Sequence, residues 1–382
     1  MHRLLALPHR AILHPVLLHM VFLLPASPPA LSQPSSLPPQ PALQDTITWH
    51  VVAEWGVEGR GWNDVKRFYD RLPARAEGVV REAVWELSHN SAGMSCRFTT
   101  DAPEIQVRYT LLSPGLEMTH MPASGVSGVD LYTLVEDNQW RYIATVRPAS
   151  QRVRATVARG IAPGRRTYML NLPLYNGIDS LEIGVTRGAA FEPIPPRTEK
   201  PIVFYGTSIT QGGCASRPGM AFPAILGRRL NVPVINLGFS GNGKMEPEMG
   251  RLLTELDAAV FVLDCLANLT PEQAAERIEP FVRLLREAKP GTPIVLVESP
   301  VFAEVLVMPD KMNVHRGRRT AVRKAYDKLI ASGMKELYYL EGDALLGEDG
   351  EATVDGTHPS DLGMSRYADA FEKMLKPLLR RQ

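Results

Sequence analysis

Ile202-Val203-Phe204-Tyr205-Gly206-Thr207-Ser208 sets four apolar or aromatic residues in a row and closes them with a glycine and two hydroxyl side chains. A run that short, unalternated and rich in β-branched and aromatic residues reads as a strand buried on both faces. Gly206 ends it, and Ser208 then falls at a strand-to-helix transition, with its hydroxyl at the rim of a sheet. Val232-Pro233-Val234-Ile235, Val260-Phe261-Val262-Leu263, Ile294-Val295-Leu296-Val297 and Leu337-Tyr338-Tyr339-Leu340 have the same character. Between the runs, apolar residues recur at helical spacing. Phe222, Ile225, Leu226 and Leu230 share one face, as do Ile278, Phe281, Val282 and Leu285, and again Val322, Tyr326, Leu329 and Ile330. Thr270-Pro271-Glu272-Gln273 is a capping box with proline at the first helical position, and Pro280 predicts a kink in the helix that follows. Doubly buried strands alternating with helices specify an α/β fold, a parallel sheet with helices on both faces.

In such a sheet, sites form outside the carboxyl ends of the strands. Ser208 follows the first strand. Asn236-Leu237-Gly238-Phe239-Ser240-Gly241 follows the second, Asn268 the third, and Asp355-Gly356-Thr357-His358 the fifth. Only a parallel arrangement brings all of these to one edge. Ser208 is then the candidate nucleophile, His358 the candidate general base and Asp355 the carboxylate that orients it. The backbone N–H groups of Ser208 and Gly241 and the amide of Asn268 are candidate donors to a developing oxyanion. Taken singly, each residue has a plainer reading: a capping serine, a loop glycine, a turn asparagine and an Asp-Gly turn. Their convergence on one edge is what favours chemistry.

The rest of the chain bounds that reading. The 382 residues favour two domains. Lys+Arg 42 against Asp+Glu 41, a net charge of +1, leaves no basic field for nucleic acid or anionic lipid. His2, Arg3 and Arg10 precede an apolar run from Ala11 to Leu24 and a Pro/Ala/Ser stretch to Ser32. Residues 1–32 therefore read as an export signal, too short for a membrane span, and the protein as secreted or periplasmic. Residues 33–44 are a Pro/Ser-rich linker. Residues 45–192 form a second domain, where Val84–Leu87, Ile105–Tyr109, Arg141–Val146, Tyr168–Leu172 and Leu181–Val185 are short strand-like runs between turn residues. An antiparallel β-sandwich is expected, with a short helix over residues 63–71. Residues 193–200 are a Pro-rich linker, and residues 201–382 are the α/β domain.

The three cysteines, Cys96, Cys214 and Cys265, include no C-x-x-C and exclude a disulfide framework or a zinc site of the usual spacing. Cys214 and Cys265 can pair as a disulfide if their strands are neighbours; two small buried apolar side chains are the equal alternative.

Residues 201–382 resemble the SGNH (GDSL-type) hydrolases. The serine of the first block falls on Ser208, the glycine of the second on Gly241, the asparagine of the third on Asn268, and the Asp-x-x-His of the last on Asp355 and His358. The resemblance implies a flavodoxin-like three-layer domain and a serine esterase mechanism without metal or organic cofactor. Thr207 stands where the family carries the aspartate of its signature, and Leu266-Ala267-Asn268-Leu269 where it has Gly-x-Asn-Asp. Gly128-Val129-Asp130-Leu131-Tyr132 resembles the G-x-D-L-Y segment of the β domain that precedes one subgroup of these hydrolases. Gly206 to Cys214 and Asp264-Cys265 are similar to that subgroup's blocks.

The expected function is therefore hydrolysis of an ester, with a small acyl group such as acetyl on a carbohydrate as the expected substrate. A lipid-directed esterase, an acyltransferase and a non-enzymatic carbohydrate-binding protein are the alternatives. Glu298, Asp130 and His120 are candidates for the pocket. Their plain readings are a loop cap, a turn aspartate and a surface histidine. Trp55, Trp62 and Trp140 are read as packing residues before a sugar platform. Arg316 to Arg319 is read as a solvated helix start, Ser360 as the cap of the final helix, and Val301 to Met308 as a candidate apolar rim.

Overall fold

The computed structural model describes residues 46–380, so the expected export signal and the linker over 33–44 lie outside the described residues. The described part forms one compact unit.

Its front part is built on two antiparallel sheets. In chain order the elements are β1 (Ile47–Val51), α1 (Glu82–Ser88), β2 (Ser95–Thr100), β3 (Glu104–Leu111), α2 (Ala123–Val126), β4 (Asp130–Val135), β5 (Gln139–Thr145), β6 (Arg152–Arg159), β7 (Arg166–Asn171), β8 (Ile178–Thr186) and β9 (Phe191–Ile194). One sheet has the order β1-β8-β3-β6 and the other β5-β4-β7-β2-β9. β3 alternates strictly between half-buried and buried residues. Its Ile105, Val107, Tyr109 and Leu111 share a core with Cys96 and Phe98 of β2, Leu131 of β4 and Leu170 of β7 from the other sheet. That alternation is what a sandwich with one wet face per sheet requires.

Several expectations need correcting here. Val84–Leu87, read as a strand, lies in helix α1 and packs Val84 and Trp85 into the core beneath the parallel sheet. Residues 63–71 are bends and turns rather than a helix, held by an isolated bridge from Val65 to Pro73. Pro193 and Ile194, placed in a linker, belong to edge strand β9, where proline's missing N–H is tolerated.

The C-terminal part continues with β10 (Ile202–Gly206), α3 (Ser208–Gln211), α4 (Phe222–Leu230), β11 (Val234–Gly238), α5 (Pro247–Thr254), β12 (Val260–Asp264), α6 (Pro271–Ala288), β13 (Ile294–Val297), α7 (Pro309–Ala331), β14 (Leu337–Leu340) and α8 (Asp361–Leu379). The sheet is fully parallel, with order β11-β10-β12-β13-β14. Val203 and Tyr205 point to one face, into a core shared with α5, α6 and α7. Ile202 and Phe204 point to the other, against α4 and α8. Three layers result, in the flavodoxin-like strand order, and the direction of winding reverses beside β10. Gly206 is level with Gly238 of β11 and Asp264 of β12, so the loops after these three strands open at one height.

The capping box at Thr270 forms as expected, and α6 runs from Pro271 to Ala288 with Pro280 inside it. Arg316 to Arg319 falls within α7 instead of at a helix start: Arg318 donates to the Leu269 carbonyl, and Arg319 pairs with Glu298 and Asp343. Among the described residues, no helix is long and apolar enough to cross a membrane.

Candidate active site

The loop after β10 and the loop before α8 meet. Ser208 Oγ lies 2.9 Å from His358 Nε2, and His358 Nδ1 lies 2.7 Å from Asp355 Oδ2. Asp355 is folded back on its own loop. Its Oδ1 accepts from the Thr357 N–H at 3.0 Å and the His358 N–H at 2.7 Å, across a turn that needs Gly356 at φ +84°. Burial works against this charge, but the bonds from the His358 N–H and ring and from the Thr357 N–H outweigh it and hold the carboxyl at about 2. An ionised carboxylate only accepts, so the proton between the two residues sits on Nδ1. Nε2 then offers its lone pair to the Ser208 hydroxyl. The arrangement can take a proton from Ser208 and hold it as an imidazolium beside a fixed negative charge.

Thr207 caps α3 by accepting from the Ile209 N–H at 3.2 Å, which starts the helix at Ser208 and leaves that serine's own N–H without an intrahelical partner. Gly241 turns at φ +68°. Among the described residues no protein acceptor takes the Ser208 or Gly241 N–H. The Asn268 carboxamide is assigned the orientation in which its oxygen meets donors, accepting from the N–H groups of Asn242 at 3.0 Å and Gly243 at 3.2 Å; its NH2 is then a donor on the opposite side of the carboxamide. The candidate oxyanion donors thus share one framework of loops. Behind it, Thr210 donates to Asp264 at 2.8 Å, and burial raises that carboxyl to about 7.

The front part reaches this edge through residues that no sequence pattern marked. Tyr175 donates to the Ser208 carbonyl at 3.1 Å. Arg71, buried, donates to the carbonyls of Asn236 and Gly238 at 3.2 and 2.6 Å and to that of Leu87, and lies over the Phe239 ring at 4.7 Å. Desolvation draws its guanidinium down to about 9. Gln211 donates to Asn90 and to the Leu174 carbonyl while accepting from the Ser240 N–H, which sets the turn at Gly241. A buried arginine with only carbonyl partners is a positional device. Nothing in the local pattern around Arg71 distinguishes it from a surface arginine.

The three pocket candidates separate. His120, on the loop between β3 and α2, stacks on the His358 ring at 5.6 Å. Asp130 is fully buried: it accepts from Asn171 and from Arg217 at 2.8 Å each and from the Gly219 N–H at 2.9 Å. It ties the start of β4 to the segment before α4 and does not open to the mouth. Glu298 is also buried, accepting from Tyr339, from the Gly342 N–H and from Arg319; this is the loop-tying alternative. Trp62 is core, with its indole N–H on Glu255. Ser360 occupies the cap position of α8, but its hydroxyl donates to the Ala352 carbonyl. Cys214 and Cys265 are free and buried. Cys265 lies under the sheet against the Tyr205 carbonyl, whereas Cys214 sits at the rim, where burial pushes its thiol up to about 12.

Residues 199–376 match the GDSL-like lipase/acylhydrolase family, and residues 47–191 match GxDLY, the N-terminus of SGNH-hydrolase-type esterases. Comparison with curated proteins finds no match. Among solved structures, a protein described as a GDSL-like lipase from Bacteroides ovatus is 32% identical, with 87% of this chain and 98% of that one covered and a TM-score of 0.83. Salicylyl-acyltransferase SsfX3 of a tetracycline biosynthetic pathway shares the fold at 21% identity, with coverage of 88% and 96% and a TM-score of 0.65. The acetyl xylan esterase Est2A of Butyrivibrio proteoclasticus shares it at 11% identity, with coverage of 88% and 99% and a TM-score of 0.55. On this likeness and on the two matched segments, the chain belongs to the GDSL-like lipase/acylhydrolase family of SGNH hydrolases.

Proposed function

We propose that this acylhydrolase is a secreted or periplasmic serine esterase that removes acetyl or another small acyl group from carbohydrate, with residues 45–192 and 201–382 as its two domains. The reading rests above all on the 2.9 Å and 2.7 Å contacts that put Ser208, His358 and Asp355 in series at the sheet edge. His358 Nε2 takes the hydroxyl proton as Ser208 Oγ attacks the ester carbonyl. The tetrahedral oxyanion is met by the N–H groups of Ser208 and Gly241 and by the Asn268 NH2. The intermediate collapses to the acyl-enzyme as the imidazolium passes its proton to the departing alkoxide. Water then enters, gives its proton to His358 and attacks the acyl carbon. Collapse of this second intermediate releases the carboxylic acid and returns the proton to Ser208 Oγ. Asp355, ionised throughout, stabilises each imidazolium.

Carbohydrate as the alcohol is supported by the export-like N-terminus, the β domain in front of the hydrolase part and the likeness in fold to an acetyl xylan esterase. A longer acyl chain is the second reading, favoured by Leu306, Val307 and Met308, which stand exposed on the segment after β13. Turnover of a small aryl acetate tests the chemistry: Ser208→Ala should lose roughly a million-fold in kcat, and equal rates for both proteins would end the proposal. Acetate release from a panel of acetylated polysaccharides, set beside aryl esters of increasing chain length, tests the substrate. Activity that rises with chain length and is absent on every glycan would replace carbohydrate with lipid.

A further inference from the structure

Two side chains at the rim are unused by this mechanism. His120 comes from the front part and Cys214 from the turn after α3. Together with Asp355 and His358 they offer four donor atoms, all within 4.8 Å of one another. Two imidazoles, a thiol and a carboxylate are the ligand types that zinc takes in tetrahedral sites. With Zn–N near 2.0–2.1 Å and Zn–S near 2.3 Å, the donors of such a site stand about 3.4–3.6 Å apart. The present donors are thus wider apart by at most about 1.4 Å, a gap that side-chain rotation can close.

The backbone favours the same reading. Cys214 has φ +68°, a left-handed conformation that a side chain rarely adopts. It follows directly on Gly212 and Gly213, so the chain spends conformational strain to place a thiol where a third glycine would sit freely. Gly213 itself packs at the His358 ring, where a Cβ would come within 3.1 Å of Cδ2. His358 and Asp355 keep 22% and 33% of their side chains exposed, which leaves an ion a way in.

We propose that His120, Cys214, Asp355 and His358 form an inhibitory site for zinc. Binding there takes the imidazole and the carboxylate away from Ser208, so zinc switches the hydrolase off and a chelator restores it. Magnesium and calcium, which prefer oxygen-only ligand sets, leave the enzyme active.

Cobalt(II) added to the wild-type protein is the direct probe, because thiolate ligation produces a charge-transfer band in the near ultraviolet that needs no turnover. The band should appear in the wild type and vanish in Cys214→Ser. In aryl acetate assays, micromolar zinc should inhibit and EDTA should reverse it. Cys214→Ser should keep its zinc-free rate, and both it and His120→Ala should raise the inhibitory zinc concentration by at least about 10-fold, each measured against its own uninhibited rate. No band with the wild type, or equal zinc sensitivity in wild type and both variants, overturns the site. Since the band is read without catalysis, its absence speaks against the metal site and leaves the esterase reading standing.

Discussion

Ser208 and His358 meet across 150 residues of a single α/β sheet system, each delivered by a loop beside a strand end or helix start of the same layered unit. Tyr175, Arg71 and His120 reach the same edge from the antiparallel part by another route, from turns and loops whose positions depend on how the two parts interlock. In the proposed reaction the first group supplies the atoms that move protons and attack. The second holds carbonyls, rings and turns in place. On that reading chemistry and positioning are divided between two regions, and the division follows from architecture: the open edge of a parallel sheet presents side chains, whereas the sandwich has only its connecting loops to offer.

Substitutions can break or sharpen that division. Below the loss expected for Ser208→Ala, the largest effect belongs to Asp355→Asn, which should lower kcat roughly 10⁴-fold by disturbing the His358 tautomer. An unchanged kcat would detach Asp355 from the chemistry. In the front part, Asp130→Ala takes the shared acceptor from the half-buried Arg217 guanidinium, the buried Asn171 amide and the Gly219 N–H and should cost about 3–5 kcal/mol of stability in urea unfolding, with kcat of the folded protein changed far less. Activity lost while the unfolding midpoint holds would place chemistry in the sandwich. Asn268→Ala should reduce kcat about 10²–10³-fold with KM little altered; a pure KM effect would make it a binding residue instead.

The smallest effect is a pH slope. Burial keeps Asp264 protonated in the native state up to about 7, while an unfolded aspartate gives up its proton near 3.9. The stability this carboxyl contributes is therefore complete below about pH 4 and lost as the pH rises through about 7, by at most about 1.4 kcal/mol per pH unit. Asp264→Asn should flatten that slope. Equal slopes in urea titrations of both proteins would show that the buried acid is not the source.

The α/β part was legible because strands covered on both faces must be continuously apolar, and Ile202–Tyr205 or Val260–Leu263 leave few alternatives. Ends of such strands are predictable to within a residue or two, and so is the placement of Ser208, Gly241 and Asn268 along one edge. The front part was less legible. Val84-Trp85-Glu86-Leu87 carries strand-favouring side chains, yet it forms helix α1, because Val84 and Trp85 bury against the layer of α5 and α6. Residues 63–71 are expected as a short helix, but the Arg67 N–H bonds the Asp70 carboxylate and the chain turns. Asp130 stood out in its motif as a residue with a task. Only its partners Arg217, Gly219 and Asn171 reveal that the task is to join two regions.

Amphipathic period, apolar runs, turn residues and block spacing are local properties, and they sufficed for the strand sequence, the layers and the side chains gathered at the sheet edge. Tertiary structure decided which distant groups complete that edge: the Tyr175 hydroxyl under Ser208, the Gln211–Asn90 bond across 121 positions, and His120 over His358. Such contacts have no period, since each depends on the packing of whole elements whose relative placement no short window of residues encodes.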